Sequence, residues 1–155
     1  MSEQYFEDFS VGQILRPNAR VRVEKDEIIA FAKKYDPQPF HLDEDAARNS
    51  IFGRLVASGW HTAAMTMGLV ARSEYRAAGG TIGLGFDELR WPIPVFPGDE
   101  LRIESEILEL RPSKSRPDRG LMKLRTRTLN QNGEAVQELI ANAMVPRRPR
   151  VSASG

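Results

Sequence analysis

Asp36 and His41 stand five residues apart in Tyr35-Asp36-Pro37-Gln38-Pro39-Phe40-His41. Pro37 and Pro39 each fix their own φ and push the preceding residue, Asp36 or Gln38, towards extended geometry. The segment is therefore expected to lack regular helix and to hold both side chains stiffly towards one point. Imidazole exchanges a proton near neutrality, and a neighbouring carboxylate can orient it or take the proton itself. That combination suits the activation of water. The same residues also fit a plainer reading, in which Asp36 caps a turn and His41 is a surface histidine.

Acid-base work needs a partner that receives developing negative charge. Leu55-Val56-Ala57-Ser58-Gly59-Trp60 runs into an apolar helical segment with Ser58 or Gly59 at its cap. Unpaired helix-start N–H groups, reinforced by the helix dipole, would stabilise an oxygen such as a thioester carbonyl turning enolate-like. Glycine at 59 would let that oxygen approach. An ordinary N-cap, with Ser58 accepting from a backbone amide, is the plainer alternative. His61, on a mostly apolar helix, reads as hydrogen-bonded structure and stays outside the catalytic set.

These groups must be carried by the elements around them. Lys25 to Lys34 places Ile28, Ile29, Phe31 and Ala32 at helical spacing and must end before Pro37. Asp43 to Asn49 reads as a second short helix with acidic residues in its first turn. The third helix, Trp60 to about Ala78, carries a stripe of Ala63, Ala64, Met67, Gly68 and Ala71 and stays apolar until Arg72, so it is expected to be mostly buried. Thr81 to Trp91, Glu100 to Leu110, Leu121 to Leu129 and Ala135 to Val145 read as strands, and Gln13 to Glu24 as a weaker one interrupted near Pro17. Pro97-Gly98-Asp99 is a turn signal, and Asn132-Gly133 predicts a hairpin. Gly83 and Gly85 share one face of their strand, which fits either close approach of another backbone or a bulge. Early helices and late strands give the α+β class, an antiparallel sheet packed on a central helix.

Composition narrows the partners. Lys and Arg number 22 against 21 for Asp and Glu, so no global basic field points to nucleic acid. The chain has no cysteine, which removes disulfides, thiolate nucleophiles and Cys-based zinc sites and is compatible with a reducing compartment. An acidic start without an apolar signal core, and an apolar run at Trp60 to Ala71 too short to span a bilayer, give the expectation of a soluble, cytoplasmic protein with no membrane partner. A length of 155 residues suits one domain over 1–146, with Arg147 to Gly155 read as a frayed tail.

Asp36-Pro37-Gln38-Pro39-Phe40-His41-Leu42-Asp43, then Ala47, Phe52 and Val56-Ala57-Ser58-Gly59, resembles the hydratase motif of MaoC-like, or R-specific enoyl-CoA hydratase, proteins. Pro94-Val95-Phe96-Pro97-Gly98-Asp99-Glu100-Leu101 resembles their segment leading into the sheet. The resemblance covers most of Phe6 to Pro146. It implies a hot-dog fold, in which an antiparallel sheet wraps a long central helix, and at least a homodimer. It implies Asp36 and His41 as the catalytic pair holding one water, and Gly59 N–H as the group that polarises the thioester carbonyl of a trans-2-enoyl-CoA or 3-hydroxyacyl-CoA. A coenzyme A thioester is the implied substrate, with neither cofactor nor metal. Gln38 stands where the motif has Asn and Ser58 where it has His, both expected to line the substrate site, which brings branched or carboxylated acyl groups into consideration. Arg54 and the Arg111 to Arg119 region are candidates for the coenzyme A phosphates. A hot-dog thioesterase and a silent acyl-CoA-binding module are the competing readings.

Overall fold

The computed structural model describes residues 3–150. After a 3-10 turn at Phe6–Asp8 come two short strands, β1 (Ile14–Leu15) and β2 (Val21–Arg22), and then the helices α1 (Lys25–Tyr35), α2 (Pro39–Leu42), α3 (Glu44–Arg48) and α4 (Gly59–Ala71). Four long strands follow: β3 (Ile82–Arg90), β4 (Glu100–Pro112), β5 (Arg119–Leu129) and β6 (Ala135–Pro146). They form one antiparallel sheet in the order β1-β4-β5-β6-β3, with β2 also paired to β4. Pro17 lies between β1 and β2, where the missing N–H breaks the expected first strand. Gly133, at φ +75°, closes the β5-β6 hairpin that Asn132-Gly133 predicts.

Helix α4 packs on the sheet. Met65 and Leu69 on α4, Ile28 on α1, Leu101 and Ile103 on β4 and Val136 on β6 share one core. Ile28, Leu69 and Leu101 are wholly buried, each contributing about 1.5–3 kcal/mol through lost apolar exposure. This is the expected α+β hot-dog arrangement.

Three local expectations are corrected. The Tyr35 to His41 segment is not free of helix: Pro39 opens the single turn of α2. At the first helical position its missing N–H has no intrahelical acceptor to lose and its fixed φ is already helical. Helix α4 stops at Ala71 instead of running to Ala78. Arg72 N–H still bonds to Gly68 O, but Ser73 Oγ accepts from Tyr75 N–H and turns the chain, and Ala78 N–H bonds to Gln4 O. Ala77 and Ala78 are buried outside any helix, Ala77 in a cluster with Phe9, Leu15 and Ile107. The small-residue stripe is also not buried, for Trp60 and Met67 are more than half exposed while Thr62, Met65, Thr66 and Leu69 face inward.

At Gly83 and Gly85 the register shifts and Gly85 adopts φ +133°, so the glycines mark a bulge in β3. Beyond Pro146, Arg147 N–H bonds to Asp118 O and Arg148 Nη2 donates to both carboxylate oxygens of Asp8. Residues 151–155 of the tail lie outside the described residues. No helix among the described residues is long and apolar enough to cross a membrane.

Candidate active site

Asp36 is delivered by the end of α1, where its own N–H caps Ala32 O at 2.9 Å. His41 is delivered by α2. Its backbone N–H bonds to Gln38 O, and its ring packs edge-on against Phe40. The segment before α4 is clamped onto this turn: Val56 N–H donates to Phe40 O, and His41 Nδ1 meets Val56 O at 2.5 Å. A carbonyl can only accept, so Nδ1 carries the hydrogen and the tautomer of the neutral ring is set. Nε2 then faces Asp36 Oδ2 at 3.4 Å, with the His41 side chain 8% and the Asp36 side chain 20% exposed. That separation is long for a direct hydrogen bond and leaves both heads converging on one point.

The same Oδ2 accepts a 2.6 Å hydrogen bond from Ser58 Oγ–H. Ser58 is the N-cap of α4 and accepts from Trp60 N–H at 3.2 Å. The amide of Gly59, the first residue of the helix, has no hydrogen-bond partner among the described residues. The structure thus brings together Asp36, His41, Ser58 and the helix start at Gly59.

The other candidates lie differently. Ser58, expected to line the substrate site, is wholly buried and its hydroxyl is turned to Asp36. Gln38 closes the turn with its backbone, donating to Asp36 O and accepting from His41 N–H, while its residue is exposed. Arg54 is exposed, its guanidinium 3.6 Å from the centroid of the Phe96 ring. The Ser113 to Gly120 stretch is the β4-β5 hairpin, closed by Ser113 N–H to Arg119 O and Arg116 N–H to Ser113 Oγ.

Trp91 escapes a motif reading. A Cβ at Gly59 would fall 2.5 Å from Trp91 Cδ2, so the indole lies directly on the Gly59 α-carbon. The indole fills the space into which a side chain at 59 would grow. Trp91 Nε1–H donates to Gln137 Oε1 at 2.9 Å, and Gln137 Nε2 donates to Thr66 Oγ1, which also bonds Thr128 Oγ1 at 2.6 Å. Gln137, Thr66 and Thr128 are buried. This satisfied polar chain ties the indole, α4, β5 and β6 together.

His61 was expected to be hydrogen-bonded. It is buried and stacked on Phe31 at 4.8 Å, but its Nδ1 has no hydrogen-bond partner. Burial pushes its pKa below the usual 6.5, opposed by the charge of Glu27. From Trp60 onward a cavity of about 640 Å³ opens between α4 and the sheet, walled by Ala63, Met67, Val70, Phe86, Leu124 and Leu139 among others. Among the described residues no group of three or more His, Cys, Asp or Glu is placed to hold a metal ion.

The family described as MaoC like domain matches residues 8–127. The chain belongs to that family. Within it, this MaoC-like chain is similar to a MaoC-like dehydratase of known structure from Rhodospirillum rubrum, at 54% identity and a TM-score of 0.89, covering 95% of this chain and 99% of that one. It is 34% identical over 134 residues to the (R)-specific enoyl-CoA hydratase of Aeromonas caviae, covering 86% of this chain and 90% of the relative. Over 65 residues it is 48% identical to the mesaconyl-CoA hydratase of Cereibacter sphaeroides, which is 42% of this chain but 19% of that protein. The MaoC-like motif read from Asp36 to His41 and from Val56 to Gly59 falls inside the matched span.

Proposed function

We propose that this MaoC-like protein is a lyase that adds water to a trans-2-enoyl-CoA, or removes it from a 3-hydroxyacyl-CoA. The observation that carries the reading is the fixed His41 ring. Its Nδ1–H is engaged by Val56 O, which leaves Nε2 opposite Asp36 Oδ2. Asp36 and His41 hold one water between them. Its oxygen bonds to the β-carbon while the pair takes a proton from it and a proton reaches the α-carbon, so the elements of water are added and the pair is regenerated. Negative charge passes to the thioester oxygen, which the free N–H of Gly59 receives at the positive end of α4. The reverse sequence dehydrates the hydroxyacyl thioester.

The acyl chain enters the cavity that starts at Trp60, the neighbour of Gly59, and whose volume of about 640 Å³ lies in the range of small-molecule sites. A second copy of the chain closes its open side. β3 pairs only with β6 among the described strands and leaves Ile82, Leu84 and Phe86 about half exposed, an unpaired apolar edge of the kind that proteins cover. Arg54, exposed and stacked on Phe96, supplies a cation for a coenzyme A phosphate. The absence of cysteine suits the cytoplasm, which fractionation of the native host tests; recovery outside the cytoplasmic fraction removes that assignment.

The experiment is a panel of enoyl-CoA thioesters, straight-chain, branched and carboxylated, followed by loss of the conjugated absorbance and by free-thiol release. Mesaconyl-CoA belongs in it because of the relative that acts on it. Loss of conjugation without thiol release is expected. Thiol release without loss of conjugation replaces hydration by thioester hydrolysis.

A further inference from the structure

Ser58 is a polar side chain with no exposed surface, and it sits where the two halves of the site meet. A hydroxyl has one proton to give and lone pairs that receive. Trp60 N–H, which can only donate, approaches Oγ at 3.2 Å and occupies a lone pair. The proton points to Asp36 Oδ2, 2.6 Å away. That oxygen is also the one that faces His41 Nε2. Without this bond the Asp36 carboxylate, just past the end of α1 and partly exposed, has only a broad terminal torsion to hold it.

We propose that Ser58 is a positioning residue for the reaction, resting on the hydratase reading above. It holds Oδ2 of Asp36 against His41, and by capping the second helical amide, not the first, it leaves Gly59 N–H open for the thioester oxygen. One side chain thereby fixes the register between the group that holds water and the group that receives charge. Being wholly buried, Ser58 acts through Asp36 and does not touch substrate.

The test compares Ser58→Ala, Ser58→Gly and Ser58→Thr with the wild type by steady-state hydration of a trans-2-enoyl-CoA and by crystal structures of the unliganded proteins. Glycine is well tolerated at an N-cap, so Ser58→Gly removes the donor with little risk to the fold. Expected are a fall of about 100-fold in kcat for Ala and Gly, as for a reactive group displaced by about 1 Å, and KM within about threefold of wild type. Ser58→Thr, which keeps the hydroxyl, recovers kcat to within about tenfold. In the Ala and Gly structures the Asp36 carboxylate turns out of reach of His41. A rise in KM alone, or an unmoved Asp36 with unchanged kcat, overturns the proposal. A displaced Asp36 in a protein whose wild type lacks hydration activity upholds the positioning and removes the hydratase reading instead.

Discussion

The indole of Trp91 rests on the α-carbon of Gly59, so that a methyl group at 59 would lie 2.5 Å from the ring. The indole is held in place, because its Nε1–H donates to buried Gln137 and it meets the Trp60 ring in a T-shaped contact at 5.3 Å between centroids. Gly59→Ala is expected to cost about 1–3 kcal/mol, as overpacking does, and to disturb the helix start. In a Trp91→Leu background the same substitution should cost far less, which a double-mutant cycle by chemical denaturation measures. Equal penalties in the two backgrounds would show that Trp91 does not dictate the glycine.

Much of this site is legible in the sequence, and what is missing is missing for a physical reason. Ile28 and Ala32 at helical spacing, stopped by Pro37, give α1, and Asn132-Gly133 gives the β5-β6 hairpin, because local chemistry decides both. The turn α2 is hidden because proline breaks a helix from within yet starts one from its first position, and the choice at Pro39 is made by Val56, which clamps Phe40 and His41. The partner of Ser58 lies 22 residues away and the ring that covers Gly59 lies on a strand end. Pairings of that kind are made by the fold and leave no local pattern. The end of α4 is obscured for the same reason, since Ala77, buried in a cluster with Phe9, Leu15 and Ile107, and Ala78, bonded to Gln4, read as more apolar helix.

His61 gives stability a pH dependence whose sign follows from burial. The folded imidazole titrates below its usual 6.5, and the unfolded one near it. Between those values the unfolded chain binds a proton that the folded chain does not, so this contribution is complete above 6.5 and is lost as pH falls through the folded value. His61→Phe, which retains a ring against Phe31 and removes the unpartnered Nδ1, is expected to weaken the loss of stability below neutrality. Urea midpoints of both proteins across mildly acidic pH measure the difference. Identical slopes would exclude His61 as a source of the acid sensitivity.

The proposed pairing of two copies across the β3 edge would be sensitive to charge. Phe86 is 58% exposed and also walls the cavity beside α4. Phe86→Asp is expected to shift the protein from dimer to monomer in sedimentation velocity and to lower hydration activity with it, because a buried unpaired charge at such an edge is costly. A dimer unaffected by the substitution would place the interface elsewhere.

Asp36 and His41 act as one water-holding pair in the proposed reaction, and the kcat/KM of Asp36→Asn and His41→Gln in enoyl-CoA hydration is the decisive measurement. Each variant is predicted to fall by about 1000-fold or more while keeping the wild-type unfolding transition. The double variant should be little worse than either single one, since residues that act as a unit are not additive. Wild-type turnover in either single variant would contradict the pair as the reactive centre.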